Sequence, residues 1–215
     1  MLTVHAAPLV LPVGAAAVAE GAVAVDGDRI AAIGPYEEVV AAHPAARVRR
    51  WPGLLTPGLR QDRARELLTR CYHPDPREAD ELGELPLWGE EFERLAATMD
   101  TARRAGSVRR GLQRMLRHGT THVVGPFGGD EPALRTAVSR SGLVQTQAQG
   151  PAGPPDLDPF AAGGDLAATA HGPLTVGGRA DFAVFDVPDE AALRAGGARR
   201  CVATVLAGRL VHRAR

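Results

Sequence analysis

Lysine and asparagine are absent from the sequence, so all 25 of its basic side chains are arginines. They are balanced by 25 acidic side chains, which gives a formal net charge of zero. Proteins that bind nucleic acid through its phosphates usually carry a positive excess, so this balance argues against nucleic-acid binding. The use of Arg alone, with many Ala, Gly and Pro residues, is typical of a GC-rich bacterial genome.

Cysteine is scarce, and long apolar runs are missing. Cys71 and Cys201 cannot build a disulfide framework, and neither belongs to a Cys-x-x-Cys pair. No run approaches the roughly 18 apolar residues of a membrane span. The apolar start of the chain has no positive region and is interrupted by Pro8 and Pro12, unlike a signal peptide. We therefore expect a cytoplasmic protein that does not associate with a membrane.

Strand patterns occupy both ends of the chain. Residues 22–25 and 29–33 flank Asp26-Gly27, a pair that accepts the positive φ angles of a tight hairpin turn. Alternating or β-branched runs predict four further strands, at residues 46–51, 180–187, 202–206 and 209–212. The last two flank Ala207-Gly208 and predict a second hairpin.

The middle of the chain is predicted to be helical. Apolar spacing indicates one helix over residues 92–105, ended by Gly106, and another over 107–118 with Ser107 as N-cap and Gly119 at its end. A strand at 120–124, a helix that begins at Asp130 and a strand at 143–147 then predict one crossover unit with parallel strands. The Pro- and Gly-rich residues 150–164 predict a linker.

Five segments in order, "GAVAVDGDRIAAIGP", "WPGLLTPGL", "MLRHGTTHVV", "GPLTVGGRADFAVFD" and "VLAGRLVH", resemble the amidohydrolase superfamily. The resemblance is to the imidazolonepropionase and aminodeoxyfutalosine deaminase group. It implies a mixed α/β fold in which both chain ends, residues 1–58 and 172–215, form a composite β-sandwich. Residues 59–171 would be an α/β insertion, the remnant of a (β/α)8 barrel, so that the chain is either a short protein or a fragment of a longer hydrolase.

The sequence departs from that family where the family binds its metal. The segment "TPGLRQDRAREL" begins as the family does, but Arg63 and Arg65 stand at the places of its His-x-His pair. Guanidinium groups have no lone pair to offer a metal. The residues instead predict a helix with Asp62 as N-cap and Leu67, Leu68 and Cys71 on one face. A full barrel takes about 250 residues, so the family's later ligands have no counterpart here.

Other possible sites have ordinary alternatives. Cys71 and His73 could begin a zinc site, but a structural zinc needs four ligands, and a helix end before a Pro-rich turn explains them. "GPFGGDEP" lacks the ending of a phosphate loop and is interpreted as a plain turn between strand and helix. The sequence around His122 offers no Ser or Cys motif that would pair with it as a nucleophile, so a catalytic role is not the favoured interpretation. Trp88, among acidic residues, either anchors a contact or is buried in the core, and core burial is the favoured interpretation.

These observations predict an amidohydrolase-like pseudoenzyme that has lost metal-dependent hydrolysis and acts as a binding or interaction protein. The alternative is a hydrolase of non-peptide carbon–nitrogen bonds with an atypical or shared site. Only that alternative requires a cofactor, a divalent metal. No catalytic or metal-binding residue is predicted, and the candidate pocket or contact residues are Asp62, His73, Trp88 and His122.

The predicted partners are a second copy of the chain or a related full-length enzyme. A barrel remnant would expose the strand at 120–124, and parallel strands are normally covered on both faces. The candidate contact residues for such pairing are Leu116, Leu134 and Val138.

Overall fold

The fold was analysed in a computed structural model that describes residues 2–127, 132–147 and 154–214. The strands are β1 (Thr3–Val10), β2 (Val18–Asp26), β3 (Arg29–Pro35), β4 (Arg47–Arg50), β5 (Leu54–Pro57), β6 (Leu59–Gln61), β7 (Cys71–Tyr72), β8 (Leu87–Trp88), β9 (Thr120–Val124), β10 (Val144–Thr146), β11 (Phe182–Phe185), β12 (Cys201–Leu206) and β13 (Arg209–Arg213). The helices are α1 (Tyr36–Ala42), α2 (Ala64–Thr69), α3 (Ala79–Leu82), α4 (Glu90–Ala96), α5 (Thr101–Arg117), α6 (Pro132–Ser141), α7 (Leu166–Thr169) and α8 (Glu190–Gly196). None of these helices is long and apolar enough to cross a bilayer.

The chain divides into two compact units. The first consists of Met1–Arg60, Leu116–Thr121 and Asp158–Arg215, and the second of Gln61–Met115 and His122–Leu157. The mixed α/β class predicted from the sequence is confirmed.

Both chain ends contribute strands to one large sheet in the first unit. The strand order is β13–β12–β11–β5–β1–β2–β3, and β4 pairs with β1 off this path. All pairs are antiparallel except β1 with β4 and β1 with β5. The predicted strands at the two ends therefore form one continuous sheet.

The sheet curls around an apolar inner face. Because side chains alternate along a strand, Val23 and Val25 of β2 pack on the same inner core as Phe182 and Val184 of β11. The turns at the two ends of the sheet also meet: the Gly208 N–H donates to Ala180 O at 2.9 Å, and the Ala180 N–H donates to Asp28 O at 2.8 Å. Any side chain at Gly208 would collide with the Gly27 carbonyl oxygen.

Helices and loops cover the outer face of the same sheet. Val39 of α1 packs on Ala22 and Ala24, which point away from the inner core. Leu166 of α7 and Leu193 of α8 cover the other part of this face. The central part of the sheet is therefore covered on both sides, which explains why β5 and β11 are buried at every position rather than at alternate ones.

In the second unit, β10 runs parallel to β9, with Val144 opposite His122 and Thr146 opposite Val124. The helix α6 connects these two strands. The parallel crossover predicted from the sequence is thus confirmed, and the strands belong to a three-stranded sheet of order β10–β9–β6. The predicted helix start at Asp130 lies outside the described residues. So does part of the predicted linker, of which residues 154–164 contain neither helix nor strand.

The helix boundary predicted at Gly106 is wrong. α5 runs without interruption from Thr101 to Arg117, and Gly106 and Ser107 lie buried inside it. The helix instead begins after Asp100, whose Oδ1 accepts a hydrogen bond from the Arg103 N–H at 2.7 Å. The Ser107 hydroxyl caps no helix and accepts a hydrogen bond from the His73 N–H at 2.9 Å.

The helix predicted after residue 62 exists, but its start differs. Arg63, not Asp62, occupies the N-cap position of α2, and its N–H donates to Gln61 Oε1 at 3.1 Å. Cys71 lies in β7, beyond the end of this helix. The first hairpin turn is also one residue later than predicted, because Asp26 already pairs with Arg29.

Candidate functional site

The two positions that would hold metal ligands in a related enzyme lie at the start of α2. Arg63 is its N-cap and Arg65 its second residue, so neither lies on a strand. The Arg65 Nη1 donates to Pro126 O at 3.4 Å. Across the described ranges, no three His, Cys, Asp or Glu side chains form a group that could hold a metal ion.

His73 lies fully buried between α2 and α5 in the second unit. Its Nε2 is 2.8 Å from Leu67 O, and its carbonyl oxygen accepts a hydrogen bond from Arg110 Nε at 2.8 Å. The pKa of His73 is lowered to about 4. Burial is the main cause, and the nearby Arg114 and Arg110 guanidinium groups act in the same direction, whereas the hydrogen bond to Leu67 opposes the shift. A neutral, enclosed imidazole of this kind is a core residue.

A hydrogen-bonded network follows His73 along the chain. The Tyr72 hydroxyl donates to Glu78 Oε2 at 2.6 Å, and Arg103 of α5 donates to the other Glu78 oxygen at 2.7 Å. Arg110 makes a similar ion pair with Asp75 at 3.1 Å. Burial alone would raise the pKa of Glu78, but the hydrogen bonds from Tyr72 and from the Asp75 N–H, together with the Arg103 charge, lower it. The network fixes residues 75–78 on α5.

Beyond this network the chain forms an open groove of about 340 Å³. Its lining residues are Glu81, Leu82, Leu87, Glu91, Arg94, Leu95 and Thr98, from α3, β8, α4 and the turn after α4. We call it the α3–α4 groove. Leu87 is placed by the short antiparallel pair of β7 with β8, in which it stands opposite Tyr72.

Two large apolar side chains are exposed in the segment that joins α3 to α4. Leu85 is 78% exposed and Trp88 is 52% exposed. The favoured interpretation of Trp88 as a core residue is therefore wrong, and its alternative, a contact surface, agrees with its position. The reason is local: β8 has two residues and pairs with the equally short β7, and within the described ranges this small sheet leaves the Trp88 side chain 52% exposed.

The structure does not gather the four candidate residues into one site. Asp62 precedes the N-cap of α2, and His122 is buried in β9 opposite Val144. His73 and Trp88 both belong to the region around β7 and β8, one buried and one exposed. The sequence reasoning missed Leu85, although "GELPLWGEE" places apolar residues among acids without a helical or strand period, a pattern that indicates an uncovered loop.

Comparison with known families gives a match over one segment of the chain. Residues 21–46 match the family described as imidazolonepropionase-like composite domain, bacteria. This segment holds most of β2, then β3 and α1. The match confirms the resemblance that the sequence indicated. No curated protein sequence matches the chain.

Several solved structures resemble the chain. A. niger ochratoxinase matches at 17% identity and a TM-score of 0.44, over 68% of this chain and 30% of that one. E. coli guanine deaminase matches at 17% identity and 0.45, over 67% and 35%. Helicobacter pylori aminofutalosine deaminase matches at 17% identity and 0.36, over 58% and 28%. The chain thus spans about a third of the length of these structures.

Proposed function

We propose that this amidohydrolase-like protein has lost metal-dependent hydrolysis and acts as a binding or interaction protein. The observation that carries the proposal is the pair Arg63 and Arg65 at the start of α2. In the family that the sequence resembles, these places hold two metal-binding imidazoles. Two permanent cations with no lone pair repel a divalent metal instead of binding it.

The size of the insertion supports the same proposal. We interpret residues 59–171 as the remnant of a barrel, of which β9, α6 and β10 form one parallel unit. A closed (β/α)8 barrel takes about 250 residues, and an insertion of this length cannot supply the remaining strands. The metal-binding residues that a barrel carries on its later strands therefore have no place in this segment.

The partner remains a proposal: a second copy of the chain or a related full-length enzyme. Two of the contact residues predicted from the sequence are already used within the chain. Leu134 is 6% exposed and Val138 is 3% exposed, so neither offers a free surface. An interaction through the second unit would use its exposed apolar side chains, Leu85 and Trp88.

Metal content tests the proposed loss of hydrolysis directly. Elemental analysis of protein purified without chelators is expected to find far less than one equivalent of zinc, iron or manganese per chain. A zinc hydrolase purified in parallel checks that the procedure retains bound metal. One equivalent of any of these metals in this protein would contradict the proposal and favour a hydrolase of carbon–nitrogen bonds.

A further inference from the structure

The α3–α4 groove combines an apolar floor with an acidic rim. Leu82, Leu87 and Leu95 are half-buried and form the floor, whereas the charged lining residues, Glu81, Glu91 and Arg94, are exposed. Each leucine therefore keeps part of its apolar surface in water. Covering that surface is favourable by roughly 25 cal/mol for each Å² removed from water.

Apolar exposure is concentrated next to this groove. Among the residues that the structure describes, five large hydrophobic side chains are exposed, and two of them, Leu85 and Trp88, lie within four positions of each other. Leu85 stands between the lining residues Leu82 and Leu87, and Trp88 follows Leu87 directly. Scattered exposed hydrophobics are ordinary, but two exposed apolar side chains in the same segment that supplies the groove indicate an interaction surface.

The charge of the same stretch specifies the kind of partner. Residues 78–93 contain seven acidic side chains and no basic one, in a chain whose net charge is zero, and the next residue, Arg94, is the one basic side chain among the described residues that line the groove. Glu78 is held by Arg103, but in the described part of the chain no ion pair engages Glu81, Glu84 or Glu91. A surface of this charge repels nucleic acid and anionic lipid, and it attracts a basic protein segment.

The groove is also held in place before any partner arrives. The Tyr72–Glu78–Arg103 hydrogen bonds fix the start of the segment on α5, and the pairing of Tyr72 with Leu87 fixes β8. A preorganised surface loses less conformational freedom on binding than a loose loop does. A hydrophobic groove formed by helical and strand residues is a kind of surface that accepts an amphipathic helix.

We propose that the α3–α4 groove binds a basic amphipathic helix of a partner protein. The helix lays its apolar side chains on Leu82, Leu87 and Leu95, and its Arg or Lys side chains reach Glu81 and Glu91. The inference rests on the proposed function as a binding protein and names the class of its partner. It commits to a separate protein rather than to a second copy of this chain.

A synthetic peptide tests the proposal with the full-length protein. The probe is a fluorescein-labelled helix of about 18 residues, long enough to form a helix, with Leu on one face and Arg on the other. Its twin carries Glu in place of every Arg. Fluorescence anisotropy is measured at about 50 mM and about 300 mM salt, since the higher concentration screens exposed charges. The basic peptide is expected to bind saturably, and its affinity should be several-fold lower at the higher salt concentration. The acidic twin should bind about tenfold more weakly than the basic peptide.

Two variants and their matched controls locate the binding. Leu82→Ser is expected to weaken binding of the basic peptide about tenfold, as loss of a central apolar contact does. Val48→Ser, at a 38% exposed position of β4, should leave binding unchanged. Glu81→Gln with Glu91→Gln should reduce the salt dependence measurably, whereas Glu37→Gln with Glu38→Gln on α1 should not. Circular dichroism confirms that each variant is folded before its binding is scored.

The failures are distinguishable from one another. Absence of saturable binding, equal binding of both peptides, or equal effects of Leu82→Ser and Val48→Ser would overturn the inference. A wild-type dimer in light scattering that Leu82→Ser converts to monomer would assign the groove to a second copy and overturn the separate partner. Metal content bears on the proposed loss of hydrolysis alone, because a metal-loaded protein can still bind or fail to bind the peptide.

Discussion

His73 shows how a buried imidazole becomes part of the packing between α2 and α5. The side chain is fully buried, and its Nε2 lies 2.8 Å from Leu67 O, so the neutral ring donates from that nitrogen. The fit is close: a methyl group at Gly111 would come within 2.7 Å of the same nitrogen. Gly111 is therefore required by its neighbour, although it lies in the middle of a helix where glycine is usually unfavourable.

The first prediction is that acid destabilises the protein through His73. Its folded pKa, about 4, lies below the ordinary value of 6.5, so protons bind the unfolded chain more readily. The stabilising contribution is complete above pH 6.5, falls as the pH drops from 6.5 to 4, and declines no further below that. The full loss is about 3 kcal/mol at 1.36 kcal/mol per pKa unit.

Urea unfolding of the wild type and of His73→Gln at about pH 7.5, 5.5 and 4.5, which cover most of the interval between the two pKa values, measures this effect. The Gln amide can still donate to Leu67 O but does not titrate, so its stability should fall less steeply with acid. His5, whose pKa burial lowers to about 3 with a further contribution from Arg49, is present in both proteins and cancels in the comparison. Equal pH dependence in the two proteins would show that His73 is not the titrating group.

The end of α5 depends on Gly119 for two separate reasons. Its φ angle is +74°, the left-handed conformation that ends many helices. A Cβ atom there would also come within 2.8 Å of Phe185 Cζ and 2.9 Å of Ala183 Cβ, both on β11. The turn from helix to strand is therefore packed directly on the large sheet of the first unit.

The second prediction compares Gly119→Ala with Gly163→Ala. Gly163 also has a positive φ angle, +79°, but no atom lies within 4 Å of its missing Cβ. Gly163→Ala should lose about 1 kcal/mol of unfolding free energy from backbone strain alone. Gly119→Ala should lose roughly 2–4 kcal/mol, because Phe185 and Ala183 must also move. Urea unfolding of the wild type and of the two variants measures these losses. Equal losses of unfolding free energy in the two variants would mean that packing at Gly119 contributes nothing.

Local patterns predicted most elements, and the errors share a cause. The hairpins and the β9–α6–β10 crossover were predictable because period-two alternation and turn residues are local signals. The continuity of α5 through Gly106 was not predictable, because the Asp100 cap and the burial of Gly106 depend on what packs against α5. Trp88 was misjudged for the same reason, since its exposure depends on what packs against β8.

The third prediction concerns the large sheet as one cooperative body. Truncation after Gly172 removes β11, β12 and β13, so β5 loses its antiparallel partner. The inner core loses Phe182, Val184, Ala203 and Val205 at the same time. Residues 1–60 should then lose their protection from hydrogen exchange, measured by mass spectrometry against the intact chain. Protection that persists in the truncated protein would show that the amino-terminal strands form a stable sheet alone.

The placement of β11 between β5 and β12 also governs how the protein is made. β5 ends at Pro57, yet its partner begins only at Phe182. At about 5–20 residues per second, the ribosome needs on the order of ten seconds to supply that partner. During this interval the open edge of β5 and its apolar faces are available to other nascent chains. The sheet of the first unit therefore cannot be completed until the carboxy-terminal strands have been synthesised, and contacts this distant in sequence slow folding.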